Sequence, residues 1–425
     1  MFLIESKPRV KSRAECLFNG VKKIEKSLGM KDTWRYGNEE TELLREVLSS
    51  GDASSMSGSF NQIFETNFAK CVGANFGVSF NSGTSTLHAA LDALDVGFGD
   101  EVLVPALTVI ANLQVILAQN AVPIFVDIDP NTYNIDPKDL ESKVTKKTKA
   151  IFVVPLYGAP CDFDEILIIS KKYKIPVIND AAQAPLAEYK GRPIASLFDI
   201  TSFSFDATKH MTTGDGGMIT TLSEGTAEKI RKFGCLGYKA LKAKDGRIRV
   251  QKDIFQNPNY SRHDDLGLNY RMSEFQAAVG VAQTKKLEFF VGLRQNIAMM
   301  YKECVEDSGF LKVQSTPQGS RHAYWTFAVE YKHPEISWQK FRQMFIENGG
   351  SGIYAAWKLL YQEDVFKNGM WKKRCPKLYS NYVPDRCPNA EKIQPTLMQF
   401  PLNFASTRDA KASVSALRKT IEEVS

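Results

Sequence analysis

No Cys-X-X-Cys pair occurs in this chain. Its seven cysteines, Cys16, Cys71, Cys161, Cys235, Cys304, Cys375 and Cys387, are scattered and odd in number, which argues against a disulfide framework and against a zinc site. A reducing, cytoplasmic compartment is therefore expected. Long apolar runs are missing too. The amino terminus, MFLIESKPRVKSR, has only four apolar residues before charge begins, too few for the core of a secretory signal. No later run approaches the roughly 20 residues that a membrane span needs, so no membrane partner is expected. Internal repeats, low-complexity tracts and a helix-turn-helix segment are also lacking, and nucleic acid is not an expected partner. Nor is there a strong excess of one charge. With 54 Lys and Arg against 48 Asp and Glu, the net +6 over 425 residues suits an anionic small molecule as readily as a polyanion.

What is present has the balance of an ordinary globular chain, 43% hydrophobic and 24% charged, with length enough for two packed domains. From Ala74 to about Thr221, short apolar runs alternate with helical segments: FGVSF, DEVLVPAL, VPIFVDID, AIFVVPLYG, IPVIND, ITSFSF and GGMITT. Several lack polar alternation, as strands buried on both faces do, so the expected architecture is α/β with a mostly parallel sheet covered by helices. Before it, residues 1–33 are basic and poorly patterned and read as an extension. The stretch WRYGNEETELLREVLSSG then carries Leu43, Leu44 and Val47 at helical spacing up to Gly51. Gly237 to Lys252 reads as an exposed basic loop. Ser273 and Gln276 form an S-x-x-Q capping box that opens a long helix, SEFQAAVGVAQTKKLEFFVGL. The large domain is expected over 34–294 and a smaller α+β domain over 295–425, with HAYWTFAVEY as a strand and DAKASVSALRKTIEE as the terminal helix.

Three segments carry chemistry. In VSFNSGTSTLHAAL a strand passes through a small turn at Gly83 into a helix, which aims free backbone N–H groups at one point, with hydroxyls from Thr84 and Ser85. Such a turn suits a phosphate; without the Lys of a nucleotide-triphosphate loop it does not suit ATP. Read alone, it is equally an ordinary Ser/Thr helix cap. In IPVINDAAQ an apolar strand delivers Asp180 at its carboxyl end, the edge where open α/β sheets bind ligands. A carboxylate there can keep a pyridine nitrogen protonated, with Gln183 donating to a ring oxygen; alternatively Asp180 caps a helix. In SFSFDATKHMTTGDGG, Lys209 follows a buried strand in small, apolar surroundings, where a lowered amine pKa favours a Schiff base. Ser204, five residues earlier, adds a possible phosphate contact, and His210 reads as a local structural residue.

Phosphate turn, strand-end acid and then lysine is the order found in fold-type I pyridoxal 5'-phosphate (PLP) enzymes. From about residue 34 onward the chain resembles the DegT/StrS family of sugar aminotransferases. The matching stretches are NSGTSTLHAAL, GDEVLVPALT, PIFVDIDPNTYNID, the Asp180–Gln183 pair, GRPIASLFDITSFSFDATKHMTTGDGGMI, LGLNYRMSEFQAAVG and CPNAEKIQP. The resemblance implies Lys209 as cofactor anchor and proton shuttle, and Asp180 as partner of the ring nitrogen. It implies Gln183 at the ring oxygen, with Gly83, Thr84, Ser85 and Ser204 around the phosphate. Asn269 is implied to serve the neighbouring subunit's cofactor, which requires a homodimer with shared active sites. Thr108 and Val109 occupy the segment that stacks on the ring, where the family usually has an aromatic in place of Val109. Phe233-Gly234 stands where a His-Gly pair is common.

The implied reaction moves an amino group from an amino acid, glutamate by resemblance, to a keto-sugar, most simply a nucleotide-linked one, in amino-sugar and surface-polysaccharide synthesis. Alternatives are a nucleotide-free keto-sugar acid, a PLP-dependent sugar dehydratase and a non-catalytic PLP-binding regulator. The dehydratases carry His where Lys209 stands. Lys239, Lys242, Lys244, Arg247 and Arg249 are expected to meet the substrate's diphosphate or carboxylate, or to be plain surface.

Overall fold

In the computed structural model of the protein, residues 35–425 are described, except 374 and 381; the expected extension over 1–33 lies outside them. All seven apolar runs form strands of one sheet. They are β1 (Phe76–Phe80), β2 (Glu101–Pro105), β3 (Val122–Val126), β4 (Thr148–Val153) and β5 (Val177–Asp180), followed after a small ribbon of β6 (Glu188–Tyr189) and β7 (Arg192–Pro193) by β8 (Ile200–Ser204) and β9 (Gly217–Thr221). The strand order is β1-β9-β8-β5-β4-β2-β3. Only β9 runs antiparallel to its neighbours, so the other six strands end on one common edge.

Period-2 alternation explains why these strands look apolar throughout. One set of side chains, with Val102, Val104, Phe152 and Ile178, packs under the helices Gly83–Ala93, Ile110–Ala118 and Glu224–Gly234. The other set, with Leu103, Ile151, Val153 and Phe203, packs under Phe60–Val72, Phe163–Tyr173 and the start of Glu274–Val305. Phe68 meets Phe203 and Phe205 edge-on at 5.0 Å, a geometry that adds to burial.

A second sheet, antiparallel throughout, contains β10 (Leu311–Val313), β11 (Thr326–Tyr331), β12 (Tyr354–Ala355) and β13 (Leu397–Pro401) in the order β10-β11-β13-β12. The terminal helix Thr407–Val424 covers it with Ala410, Val414, Leu417 and Ile421, one helical face. The helix Glu274–Val305 serves both cores. Ala277, Val281 and Leu287 pack beneath the large sheet, and Ile297, Tyr301 and Val305 beneath the small one. It therefore runs unbroken through 294/295. Its capping box forms as expected: Gln276 N donates to Ser273 Oγ at 3.3 Å, and Ser273 N donates to Gln276 Oε1 at 3.1 Å.

The basic stretch from Gly237 to Lys252 departs from the exposed loop expected of it. Leu241 and Ala243 are buried, and Asp245 holds both Arg247 (2.9 Å) and Arg249 (2.6 Å). Two of the five cations are thus paired within the loop itself. Among the described residues, no helix is long and apolar enough to cross a membrane.

Candidate active site

The common strand edge gathers the chemistry. Beyond β1, Ser82 caps the helix Gly83–Ala93 by accepting from Ser85 N at 3.1 Å, and the Ser85 hydroxyl donates to Asn81 Oδ1 at 2.6 Å. Ser85 is accordingly buried within the cap, while Thr84 is exposed. The turn lies hard against the ends of β8 and β9. A Cβ on Gly83 would come within 2.9 Å of Ser204 Cβ, and one on Gly217 within 2.5 Å of the Ser82 carbonyl oxygen. Glycine at both positions lets the first N–H groups of the helix, which have no intrahelical acceptor, come up beside Ser204 at the positive end of the helix dipole.

Asp180 is the last residue of β5 and is buried. Ala182 N donates to its Oδ1 at 3.2 Å and Asn112 Nδ2 to its Oδ2 at 3.1 Å, while Thr108 Oγ1 donates to Asn112 Oδ1 at 3.2 Å. Burial pushes the Asp180 pKa up, and the two donors and the nearby Lys209 amine pull against it. Among the described residues no cation pairs with this carboxylate. Gln183 is also buried, and its Oε1 accepts from Tyr157 N at 2.7 Å, which leaves the NH2 end as a donor. Thr108 is buried and Val109 half-buried, at the start of the helix Ile110–Ala118.

Lys209 follows β8 and its backbone is clamped. Arg294 Nη2 donates to the Lys209 carbonyl (3.1 Å) and the Thr208 carbonyl (3.3 Å), and Arg294 Nη1 donates to the Trp325 carbonyl at 2.6 Å. Arg35 donates to the carbonyls of Ala207 and Lys209. The side chain is partly exposed, yet its amine is set 4.7 Å from the Trp325 ring centroid and crowded by protein. Burial lowers the amine pKa against the pull of Asp180 and Asp206, which favours the neutral, nucleophilic form. Trp325 is itself fixed: its Nε1 donates to the Thr208 carbonyl at 3.1 Å and its ring stacks on Trp357 at 5.7 Å. His210 has the structural part expected of it, buried and donating to the Ala323 carbonyl at 2.9 Å.

A cleft of about 600 Å³ opens beside the lysine, walled by Thr208, Arg294, Trp325, Tyr354, Trp357 and Asn403. Asn269 is exposed, one residue before Tyr270, whose carbonyl accepts from Asn81 N in the turn at 2.8 Å. Phe233 packs as core against His88 and Tyr270. Sequence reasoning missed Arg35, Asn112, Arg294 and Trp325. Asn112 left one trace, its i+4 spacing from Thr108 across a helix start.

A phosphorylated pyridine aldehyde finds each of its groups matched here. The buried carboxylate could accept a ring N–H, the glycine-tight helix start could receive an anion, and burial biases the amine toward its neutral form. The fold and these residues define a fold-type I PLP-dependent transferase. More specifically, the chain belongs to the DegT/DnrJ/EryC1/StrS aminotransferase family, whose model matches residues 35–417. It is similar to the GDP-perosamine synthase of Escherichia coli O157:H7, 36% identical over 290 residues, covering 68% of this chain and 74% of that protein. It is also similar to the spore coat polysaccharide biosynthesis protein SpsC of Bacillus subtilis, 38% identical over 294 residues, covering 69% and 73%. Among solved structures, the aminotransferase from Psychrobacter cryohalolentis superposes with a TM-score of 0.80 at 29% identity, covering 92% of this chain and 98% of that one. The protein is a PLP-dependent sugar aminotransferase acting on keto-sugars.

Proposed function

We propose that the enzyme transfers the amino group of glutamate to a nucleotide-linked keto-deoxy-sugar, as a homodimer whose active sites are shared. The observation that carries the reading is the Lys209 amine, set 4.7 Å from the Trp325 ring centroid, lowered in basicity by burial and within the electrostatic reach of Asp180. A lysine at this place can both anchor the cofactor and move a proton, which separates transamination from the dehydratase alternative. The sugar assignment is supported by two relatives named GDP-perosamine synthase, at 36% and 38% identity.

When bound, PLP supplies an electron-withdrawing ring that accepts the electron pair of a broken C–H bond. The residues around it then have distinct work. Lys209 Nζ would hold the cofactor and, when free, would carry the proton removed from the amino donor. Asp180 would accept the ring N–H and favour its charged form. The Gln183 NH2 group would donate to the ring oxygen, and Thr108 and Val109 would flank the ring. The N–H groups of Gly83 and Thr84 and the hydroxyls of Thr84 and Ser204 would hold the phosphate, joined by Asn269 of the partner subunit; Ser85, whose hydroxyl proton goes to Asn81 Oδ1, would shape the turn. Arg294 and Arg35 fix the backbone from which Lys209 swings. The cleft of about 600 Å³, with aromatic walls at Tyr354, Trp325 and Trp357, would take the sugar.

The test incubates holoprotein with glutamate and a panel of keto-sugars, with and without a nucleoside diphosphate, and reads amine gain by mass spectrometry. A nucleotide-linked sugar should gain the amine. Amination of a nucleotide-free sugar acid alone would overturn the nucleotide assignment.

A further inference from the structure

The polar residues missed by motif reasoning include one whose side chain bonds two residues of the site. Asn112 lies in the first turn of the helix Ile110–Ala118 and is fully buried. Its carbonyl oxygen accepts from the Thr108 hydroxyl at 3.2 Å, and its NH2 donates to Asp180 Oδ2 at 3.1 Å. The amide orientation follows from these partners. Turned over, it would press a carbonyl oxygen against a carboxylate oxygen, two acceptors with no proton between them. Asp180 therefore sees a pure donor, and a pure donor favours the ionised acid over the protonated one. The second carboxylate oxygen takes the Ala182 N–H at 3.2 Å. Each oxygen thus has one neutral donor and a remaining lone pair, and among the described residues no cation forms an ion pair with it.

We propose that Asn112 is a positioning residue for amino transfer: through its amide it holds the Asp180 carboxylate ionised and aimed at the ring nitrogen, and Thr108 holds Asn112 in register. The proposal rests on the reading of Asp180 as the ring-nitrogen partner. Burial alone works against that role, because a buried carboxyl tends to keep its proton and a protonated Asp180 would no longer charge the ring. The hydrogen bond from Asn112 offsets this tendency without introducing a competing cation. A lysine or arginine at position 112 would pair with Asp180 and displace the ring N–H from it. An amide supplies a proton to share and no charge to compete, so its chemistry fits the task better than that of any charged donor.

Three substitutions and one combination test this. Asn112→Leu removes the donor while keeping the branching of the side chain, Asn112→Thr keeps a hydroxyl donor if the bulkier leucine folds poorly, and Asp180→Asn removes the acceptor charge. In holoprotein carrying ring-¹⁵N-labelled PLP, the ring nitrogen should resonate as protonated in the wild type and shift toward the unprotonated position in Asn112→Leu, with Asn112→Thr between them. The leucine variant should lose on the order of 10- to 100-fold in kcat, the scale of one hydrogen bond to a charged group, with KM for glutamate little changed. In the Asp180→Asn background the same substitution should cost less than about 3-fold, because nothing is left for it to hold. An unchanged ¹⁵N shift in Asn112→Leu, or an equal loss in both backgrounds, overturns the proposal. An Asp180→Asn enzyme with wild-type turnover and ring shift instead overturns the reading of Asp180 itself, so the two failures are distinguishable.

Discussion

Arg294 shows how much of this site is backbone held in place by side chains. It is buried, its pKa pushed down to about 9 by burial and then by Arg35, and it supplies donors to the carbonyls of Thr208, Lys209 and Trp325 and to Asn403 Oδ1. Arg294→Met should strip a donor from three carbonyls, of which those of Lys209 and Thr208 keep one from Arg35 and from Trp325 Nε1, and should cost about 2 kcal/mol, read as a lower urea midpoint at unchanged slope. Arg294→Lys should recover part of that loss, since one ammonium cannot reproduce the planar fork. A midpoint unaltered in Arg294→Met would show that the clamp contributes nothing. His322 makes a second residue-scale case. It is buried, its Nδ1 accepts from Tyr324 N at 2.8 Å, and burial pushes its pKa down to about 3. The unfolded chain binds a proton here near pH 6.5 that the folded chain refuses until about pH 3. Stability is therefore intact above pH 6.5 and falls as pH drops through that window, by up to about 1.4 kcal/mol per pH unit. His210, held neutral in the same way, acts in the same direction. Urea midpoints at pH 7 and pH 5 should differ less for His322→Asn than for the wild type; parallel slopes would contradict the account.

At the scale of elements, the helix Glu274–Val305 joins two cores that the chain builds separately. Its start depends on the Ser273–Gln276 box, and Ser273→Ala should destabilise the fold by about 1 kcal/mol in a denaturant titration while leaving the absorbance of bound cofactor unchanged. Elements of this kind were legible in the sequence. The seven strands of the large sheet stand out as short apolar runs stopped by Gly, Pro or Asp, because a strand buried on both faces has little choice of residue. The two-residue strand β12, with Tyr354 and Ala355 both exposed, carries no such pattern and went unread. Site residues divide along the same line. Asp180 and Lys209 could be found because each sits just beyond a recognisable strand, at an edge that the topology makes a binding edge. Arg294 and Arg35 could not, because their bonds to the Lys209 carbonyl span 85 and 174 residues and no local spacing encodes them. The basic loop was misread for the same reason: its charge was visible, while the burial of Leu241 and Ala243 was a tertiary fact.

At the scale of the whole molecule, the account requires more than one chain. Asn269 is exposed in the single chain, and the proposed homodimer would give it a phosphate to hold across the interface. Mixing Lys209→Ala and Asn269→Ala proteins tests the sharing, because each heterodimer then contains one site with both residues intact. After subunit exchange, an equal mixture should regain about a quarter of wild-type turnover, half the dimers with half their sites. If the mixture is no more active than its components, Asn269 does not act across the interface. All of these roles depend on the bond between Lys209 and the cofactor. Borohydride reduction of the holoprotein, followed by proteolysis and mass spectrometry, tests that bond most directly. The pyridoxyl group is predicted on the peptide containing Lys209, and a label on another lysine, or on none, would contradict the account.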